Sequence, residues 1–312
     1  MKSGVLLLNM GGPNNLKEVE LFLRNMFADR YILPMNPLMR KLVGSIIVKK
    51  RKDEAKENYK ELGGKSPLND ITASLCKKIE DRLNIPIKMA MRYVPPFATE
   101  ALKEFKDMGI DNIILFPMYP HYSTTTTKSS VEDVLNSMRE LDYSANINIV
   151  EPYYDDYNYI QIQIDRIIEA TKDINRNKYT LLLSAHGLPV KIIKSGDPYQ
   201  IQIEANVSAI KIALKCRGIE FKDIKLVYQS RVGSGKWLEP NLVDVLRSPD
   251  NFRIVIVPLS FTIDNSETLF ELDIEHKLIA TKIGYDDYRV VKCPNDKDDF
   301  VEFVGDKIKS FL

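Results

Sequence analysis

Cysteine is scarce: the 312 residues hold Cys76, Cys216 and Cys293, far apart and with no CxxC pair. That excludes a disulfide framework and a Cys-based zinc or iron–sulfur site, and it points to a reducing compartment. No apolar run approaches the 18 residues needed to span a bilayer. The run at 5–8 stops at Asn9, too short for a signal-peptide core. A cytoplasmic protein is expected. Charge of one sign is not in excess either, with 44 Lys plus Arg against 43 Asp plus Glu and a formal net charge of +1. Nucleic acid, which rewards a basic surface, is therefore not an expected partner. With 44% hydrophobic residues, 14 glycines and 16 prolines, disorder, collagen and coiled coil are excluded.

What is present is a rhythm. Short apolar, β-branched runs at 4–9, 87–92, 112–117 and 146–150 alternate with stretches of helical spacing, and four more follow at 179–184, 225–229, 253–258 and 288–293. Strands joined by helices form parallel sheets covered on both faces. The expected fold is α/β: two similar doubly wound, four-stranded, Rossmann-like domains, 1–152 and 153–312, with a cleft between them and ligands gathered at the strand carboxyl ends. A helix at 156–174 is the expected connector. Within 31–52, Leu38, Met39, Leu42, Val43, Ile46 and Ile47 form a helical stripe, followed by Lys49, Lys50, Arg51 and Lys52. It reads as a surface helix packed on its own domain, or as an apolar lip giving peripheral membrane contact.

Several motifs sit at strand ends. Leu8-Asn9-Met10-Gly11-Gly12-Pro13 matches neither GxGxxG nor GxxxxGK[ST], so the dinucleotide and P-loop readings lose their support. Leu181 to Leu183 lead into Ser184-Ala185-His186-Gly187-Leu188-Pro189, which delivers one of three histidines to a strand's carboxyl end; a buried structural histidine is the alternative. Gly196-Asp197-Pro198-Tyr199 reads as the start of a helix ending near Gly218. Glu267, Glu271 and Glu275, spaced by four, would stack three carboxylates along one helix face, a repulsion of about 0.2–0.5 kcal/mol per pair that a cation would offset. A solvated face, with Asp264 and Glu267 capping the helix, is the alternative. Arg92-Tyr93 and Met118-Tyr119-Pro120-His121-Tyr122-Ser123 bring aromatic, hydroxyl and cationic groups suited to a flat apolar ligand with carboxylates at its edge, or to ordinary packing. Trp237 lies in the loop 229–240.

Together with Gly63-Gly64-Lys65-Ser66-Pro67-Leu68, these motifs resemble, in order and over nearly the whole chain, the ferrochelatases, which insert ferrous iron into a porphyrin to make haem. The resemblance implies the two-domain chelatase fold and an enzyme, a lyase, whose substrates are protoporphyrin IX and Fe²⁺. It makes His186 and Glu267 the catalytic metal-insertion pair, Asp264, Glu271 and Glu275 a metal-delivery ridge, and Met10, Ser66, Arg92, Tyr119 and Trp237 the porphyrin-binding residues. Met10 resembles the protoporphyrin-using branch, where the coproporphyrin-using branch tends to carry tyrosine. A coproporphyrin enzyme, a chelatase for another ring or metal, and a non-catalytic tetrapyrrole carrier are the alternatives. Iron is then a substrate, no cofactor is bound permanently, and no iron–sulfur cluster is expected. The sequence departs from many relatives at Asn265, where they carry histidine, so a second base there is not expected. Oligomeric state is not legible.

Overall fold

The computed structural model describes residues 2–231 and 235–312. The expected apolar runs form two four-stranded, all-parallel sheets. In the first, β1 (Ser3–Asn9), β2 (Ile87–Met91), β3 (Asn112–Pro117) and β4 (Asn146–Ile149) lie in the order β2-β1-β3-β4. In the second, β5 (Thr180–His186), β6 (Asp223–Gln229), β7 (Arg253–Pro258) and β8 (Asp287–Val290) repeat it as β6-β5-β7-β8. Each chain path starts in a central strand, steps to one neighbour and then reverses to the other. The reversal creates a switch point between the carboxyl ends of β1 and β3, and another between those of β5 and β7, where loops diverge and leave room for a ligand.

Two compact units carry these sheets. The first holds the chain to Tyr119, Ser123–Glu151 and Asp296–Leu312, and the second holds Pro120–Tyr122 and Pro152–Asn295. The first unit includes α1 (Glu18–Ala28), α2 (Pro37–Glu61), α3 (Leu68–Leu83), α4 (Ala98–Asp107) and α5 (Ser129–Glu140). The second includes α6 (Tyr157–Ala170), α7 (Val190–Lys194), α8 (Tyr199–Cys216), α9 (Leu242–Arg247) and α10 (Lys277–Ile283). Asp156 caps α6 through the amides of Asn158 and Tyr159.

The final helix, α11 (Asp298–Lys309), packs on α3 of the first unit. It buries Phe300, Phe303, Val304 and Ile308, and Arg82 reaches Glu302 at 3.1 Å. The second unit thus ends near 295 rather than at 312, because an amphipathic helix docks wherever a complementary apolar face is open, a choice its own periodicity does not record.

Helix α2 continues through the basic run to Glu61. It lies on α1 where Gly44 meets Phe27, so closely that an added Cβ would sit 3.1 Å from the Phe27 carbonyl oxygen. Val48 and Tyr59 are buried, whereas Leu38, Met39, Leu42 and Ile46 remain exposed. The stripe therefore splits, with one edge packed on the unit and the other facing outward. Among the described residues, no helix is long and apolar enough to cross a membrane.

Candidate active site

Strand periodicity aims the first site residue. Leu181, Leu183 and Ala185 pack into one core against α6 and α8, while Leu182, two positions before Ser184 and four before His186, packs into the core on the opposite face with Leu272. Successive side chains alternate, so His186 emerges at the end of β5 on the side that carries Leu272. Gly187 follows because the chain turns there against β6: its N–H donates to the Gln229 carbonyl at 2.8 Å, and a Cβ would lie 2.7 Å from that oxygen. Trp237 approaches the same spot, its ring 3.5 Å from where that Cβ would be, and it forms an antiparallel bridge with Pro189. Residues 232–234 of the tryptophan loop lie outside the described residues.

The acidic segment after β7 is a π-helix, Glu267–His276, running on into α10. This differs from the α-helix that spacing by four suggested; π-turns widen the helix and recur at functional sites. Asn265 starts it, accepting the Glu267 N–H at 2.7 Å on its side-chain oxygen and donating to the Ile263 carbonyl at 3.1 Å. Asn265, where a second base was not expected, thus makes the turn that leads into the π-helix.

The outcome is one tight pair. His186 Nδ1 lies 2.7 Å from Glu267 Oε2, with side chains 34% and 23% exposed, so the pair is reachable from outside while shielded enough for its charges to matter. Behind it stands Glu271, held by Ser230, whose N–H donates to Oε1 at 2.8 Å and whose hydroxyl lies 2.5 Å from Oε2 and 3.3 Å from Glu267 Oε2. Ser230 adopts φ +63°, the left-handed conformation that turns amide and hydroxyl toward the same carboxylate. Gln229 accepts from the Ser184 hydroxyl at 2.9 Å and extends its amide toward Glu271 at 3.4 Å.

Charge follows the geometry. Burial opposes protonation of His186, yet the charge and hydrogen bond of Glu267, with Glu271 adding, raise it above the ordinary histidine value. Burial likewise opposes ionisation of Glu267, and His186 and Ser230 outweigh it, holding the carboxyl below its ordinary value. Glu271 goes the other way, to about 7, because burial and the neighbouring Glu267 charge disfavour a second anion. A basic imidazole, a committed carboxylate and a carboxyl poised near neutrality thus share one mouth. Imidazole and carboxylate are both suitable donors to a divalent first-row metal.

The remaining expected residues divide. Glu275 is exposed on the π-helix beyond Glu271. Asp264 is turned away from this row: buried, it accepts from Thr268 Oγ1 at 2.9 Å and Asn295 Nδ2 at 2.7 Å. The family resemblance implied a ridge member, but the loop at 293–295 claims its oxygens. Among the described residues, no three His, Cys, Asp or Glu side chains converge as a metal cage.

In the first unit, Met10 leaves the end of β1 half-buried, and Tyr119, just beyond β3, is buried with its hydroxyl 3.2 Å from Ser130 Oγ. Both stand at the switch point between β1 and β3. Ser66 is buried against Gly12, where a Cβ would lie 2.4 Å from it; its N–H donates to the Pro13 carbonyl at 2.9 Å. Arg92 is engaged by acids, with Asp133 at 3.2 Å and the buried Asp29 at 3.4 Å, and its Nε donates to Ser129 at 2.9 Å. Sequence spacing missed Ser230, Gln229 and Asp29; their position at or just after strand and helix ends was the available signal.

A family model described as Ferrochelatase matches residues 2–312. The chain is 48% identical over 304 residues to the ferrochelatase of a Nitratiruptor species, covering 97% of each, and 46% identical to that of Campylobacter concisus, covering 99% of this chain and 98% of the relative. Among solved structures, SirB from Bacillus subtilis with Fe³⁺ matches 100% of this chain and 96% of its own at a TM-score of 0.58 and 12% identity. CbiX, described as the terminal enzyme for siroheme biosynthesis in denitrifying bacteria, matches 100% of both chains at 0.55 and 11%. These two likenesses establish a shared chelatase fold. The chain belongs to the ferrochelatase family and is an enzyme of metal insertion into a tetrapyrrole.

Proposed function

We propose that this member of the ferrochelatase family inserts Fe²⁺ into protoporphyrin IX, releasing two protons and forming protohaem as the last step of haem synthesis. The observation that carries the reading is the 2.7 Å His186–Glu267 pair. Insertion replaces two pyrrole protons with a metal ion, so it needs a base whose affinity for protons lies near neutrality, close to donors that suit Fe²⁺. His186 supplies the base. Glu267 orients the imidazole, balances the charge it gains, and offers oxygen to the ion. Glu271, behind the pair, and the exposed Glu275 continue that oxygen-lined row along the π-helix, so an ion arriving by Glu275 exchanges water for carboxylate stepwise.

The porphyrin-binding roles of Met10, Ser66, Arg92, Tyr119 and Trp237 belong to the same proposal. For Arg92 the role is indirect: a guanidinium already balanced by Asp29 and Asp133 stiffens its strand end more than it offers a free charge. Met10, in place of tyrosine, favours protoporphyrin over coproporphyrin. The exposed edge of α2, followed by its basic run, is proposed to rest on an anionic membrane surface from the cytoplasmic side.

Anaerobic insertion assays with protoporphyrin IX and coproporphyrin III, each with Fe²⁺, Co²⁺ and Zn²⁺, test the reading. The highest kcat/KM is expected for protoporphyrin IX with Fe²⁺. A higher value with coproporphyrin would replace the substrate, and no turnover with any combination would remove the activity.

A further inference from the structure

The Gly-Asp-Pro-Tyr motif, legible in sequence as a helix start, has a second use. We infer that Tyr199 and Ser260 are positioning residues whose hydroxyls lock the His186 peptide and so aim its imidazole at Glu267. The inference rests on His186 being the working base, and it holds for whichever porphyrin the enzyme prefers.

The need arises from the sheet. Pairing of β5 with β7 ends at Ser184↔Pro258, and the last ladder bond there is Leu259 N–H to the Ser184 carbonyl at 2.8 Å. Beyond it β7 departs, leaving the His186 N–H and C=O without a strand partner, and buried backbone groups must be satisfied by something. Ser260 Oγ accepts from the His186 N–H at 2.9 Å. Tyr199 Oη donates to the His186 carbonyl at 2.9 Å, and the two hydroxyl oxygens stand 2.6 Å apart. Each hydroxyl has one proton, so a single arrangement satisfies all three contacts. The His186 amide donates to Ser260, Ser260 donates to Tyr199, and Tyr199 donates back to the His186 carbonyl, closing a ring of three bonds that polarise one another. On the opposite edge the Gly187 N–H is held by Gln229, so the peptide chain is pinned from both sides.

The motif delivers Tyr199 to that place. Gly196, at φ +94°, ends α7 in a left-handed turn, and Asp197 Oδ1 accepts the Tyr199 N–H at 3.0 Å. Pro198 restricts the approach. The Tyr199 ring is buried edge-on to His121, with centroids 6.0 Å apart at 74°. A base displaced by about 1 Å can lose about a hundredfold in rate, so a clamp on the peptide bearing the base acts on kcat rather than on substrate binding.

The test uses Tyr199→Phe, Ser260→Ala, Ser260→Thr and the Tyr199→Phe/Ser260→Ala double variant of the full chain, assayed with the porphyrin and metal the unaltered protein turns over fastest, beside His186→Ala. Tyr199→Phe and Ser260→Ala are each expected to lower kcat about tenfold with porphyrin KM unchanged and to speed amide hydrogen exchange at His186. Ser260→Thr, which keeps the hydroxyl, is expected to restore most of the rate. The double variant is expected to be no slower than either single one, because one missing link already opens the ring. A kcat reduced less than fivefold in both single variants, or losses that multiply in the double, overturns the inference while His186→Ala is inactive. Full turnover by His186→Ala overturns instead the reading of the site on which it rests.

Discussion

His186 Nδ1 and Glu267 Oε2 stand 2.7 Å apart although 81 residues separate them in the chain. The contact joins a strand end to a helix start across a switch point, the place where a doubly wound sheet leaves side chains unburied. It is a charge-assisted pair. Its stabilisation is full between the ordinary Glu value, above which Glu267 is ionised in folded and unfolded states alike, and the ordinary His value, below which His186 is protonated in both. It fades as pH falls through the lowered Glu267 value and as pH rises through that of His186.

Replacing His186 tests its proposed role as the base. His186→Ala should lower kcat for metal insertion by about 10²–10⁴-fold, while porphyrin affinity, read by fluorescence quenching, stays within about twofold. Comparable turnover in the variant would rule His186 out as the base.

The two further carboxylates of the row should differ. Glu271→Gln removes a shielded carboxyl that is partly ionised near neutral pH while leaving an acceptor for the Ser230 N–H, and KM for Fe²⁺ should rise about tenfold. Glu275→Gln, at an exposed position where water screens charge, should raise it about twofold or less. Initial rates against Fe²⁺ concentration give both numbers; equal effects, or the reverse order, contradict stepwise entry along the π-helix.

Gly187 has no room for a side chain. Gly187→Ala places a Cβ 2.7 Å from the Gln229 carbonyl oxygen, so β5 and β6 must part at the site. A loss of about 1–3 kcal/mol in denaturant unfolding is expected, with insertion activity falling more than stability. An alanine variant of native stability and rate would show that the backbone yields freely there.

Acid should act through two buried histidines outside the His186–Glu267 pair. Burial depresses His121 to about 3 and His276 to about 4. His121 lies against the rings of Tyr154 and Tyr199, and His276 Nε2 is 3.9 Å from Glu271 Oε1. Each is neutral in the folded chain, while the unfolded chain binds a proton below about 6.5. Their effect is absent above that value and grows as pH falls, reaching about 2 kcal/mol per histidine by about pH 5. Urea unfolding between pH 7 and 5 should show this loss, reduced in His121→Gln; a flat profile would mean that these sites accept protons when folded.

Local order was legible in the sequence because it is written in local patterns. The eight apolar runs became strands, α6 and α8 fell where spacing put them, and the strand-end motif carried His186 outward, since alternation along β5 needs only neighbouring residues. Tertiary structure decided what depends on partners distant in the chain. Glu267 met His186 and Ser230 through a π-helix that spacing by four did not announce, Asp264 was taken by Asn295, Arg92 by Asp29 and Asp133, and α11 by α3. A residue type fixes which bonds a side chain can make; which bond it makes is fixed by the competitors that folding brings within about 3 Å.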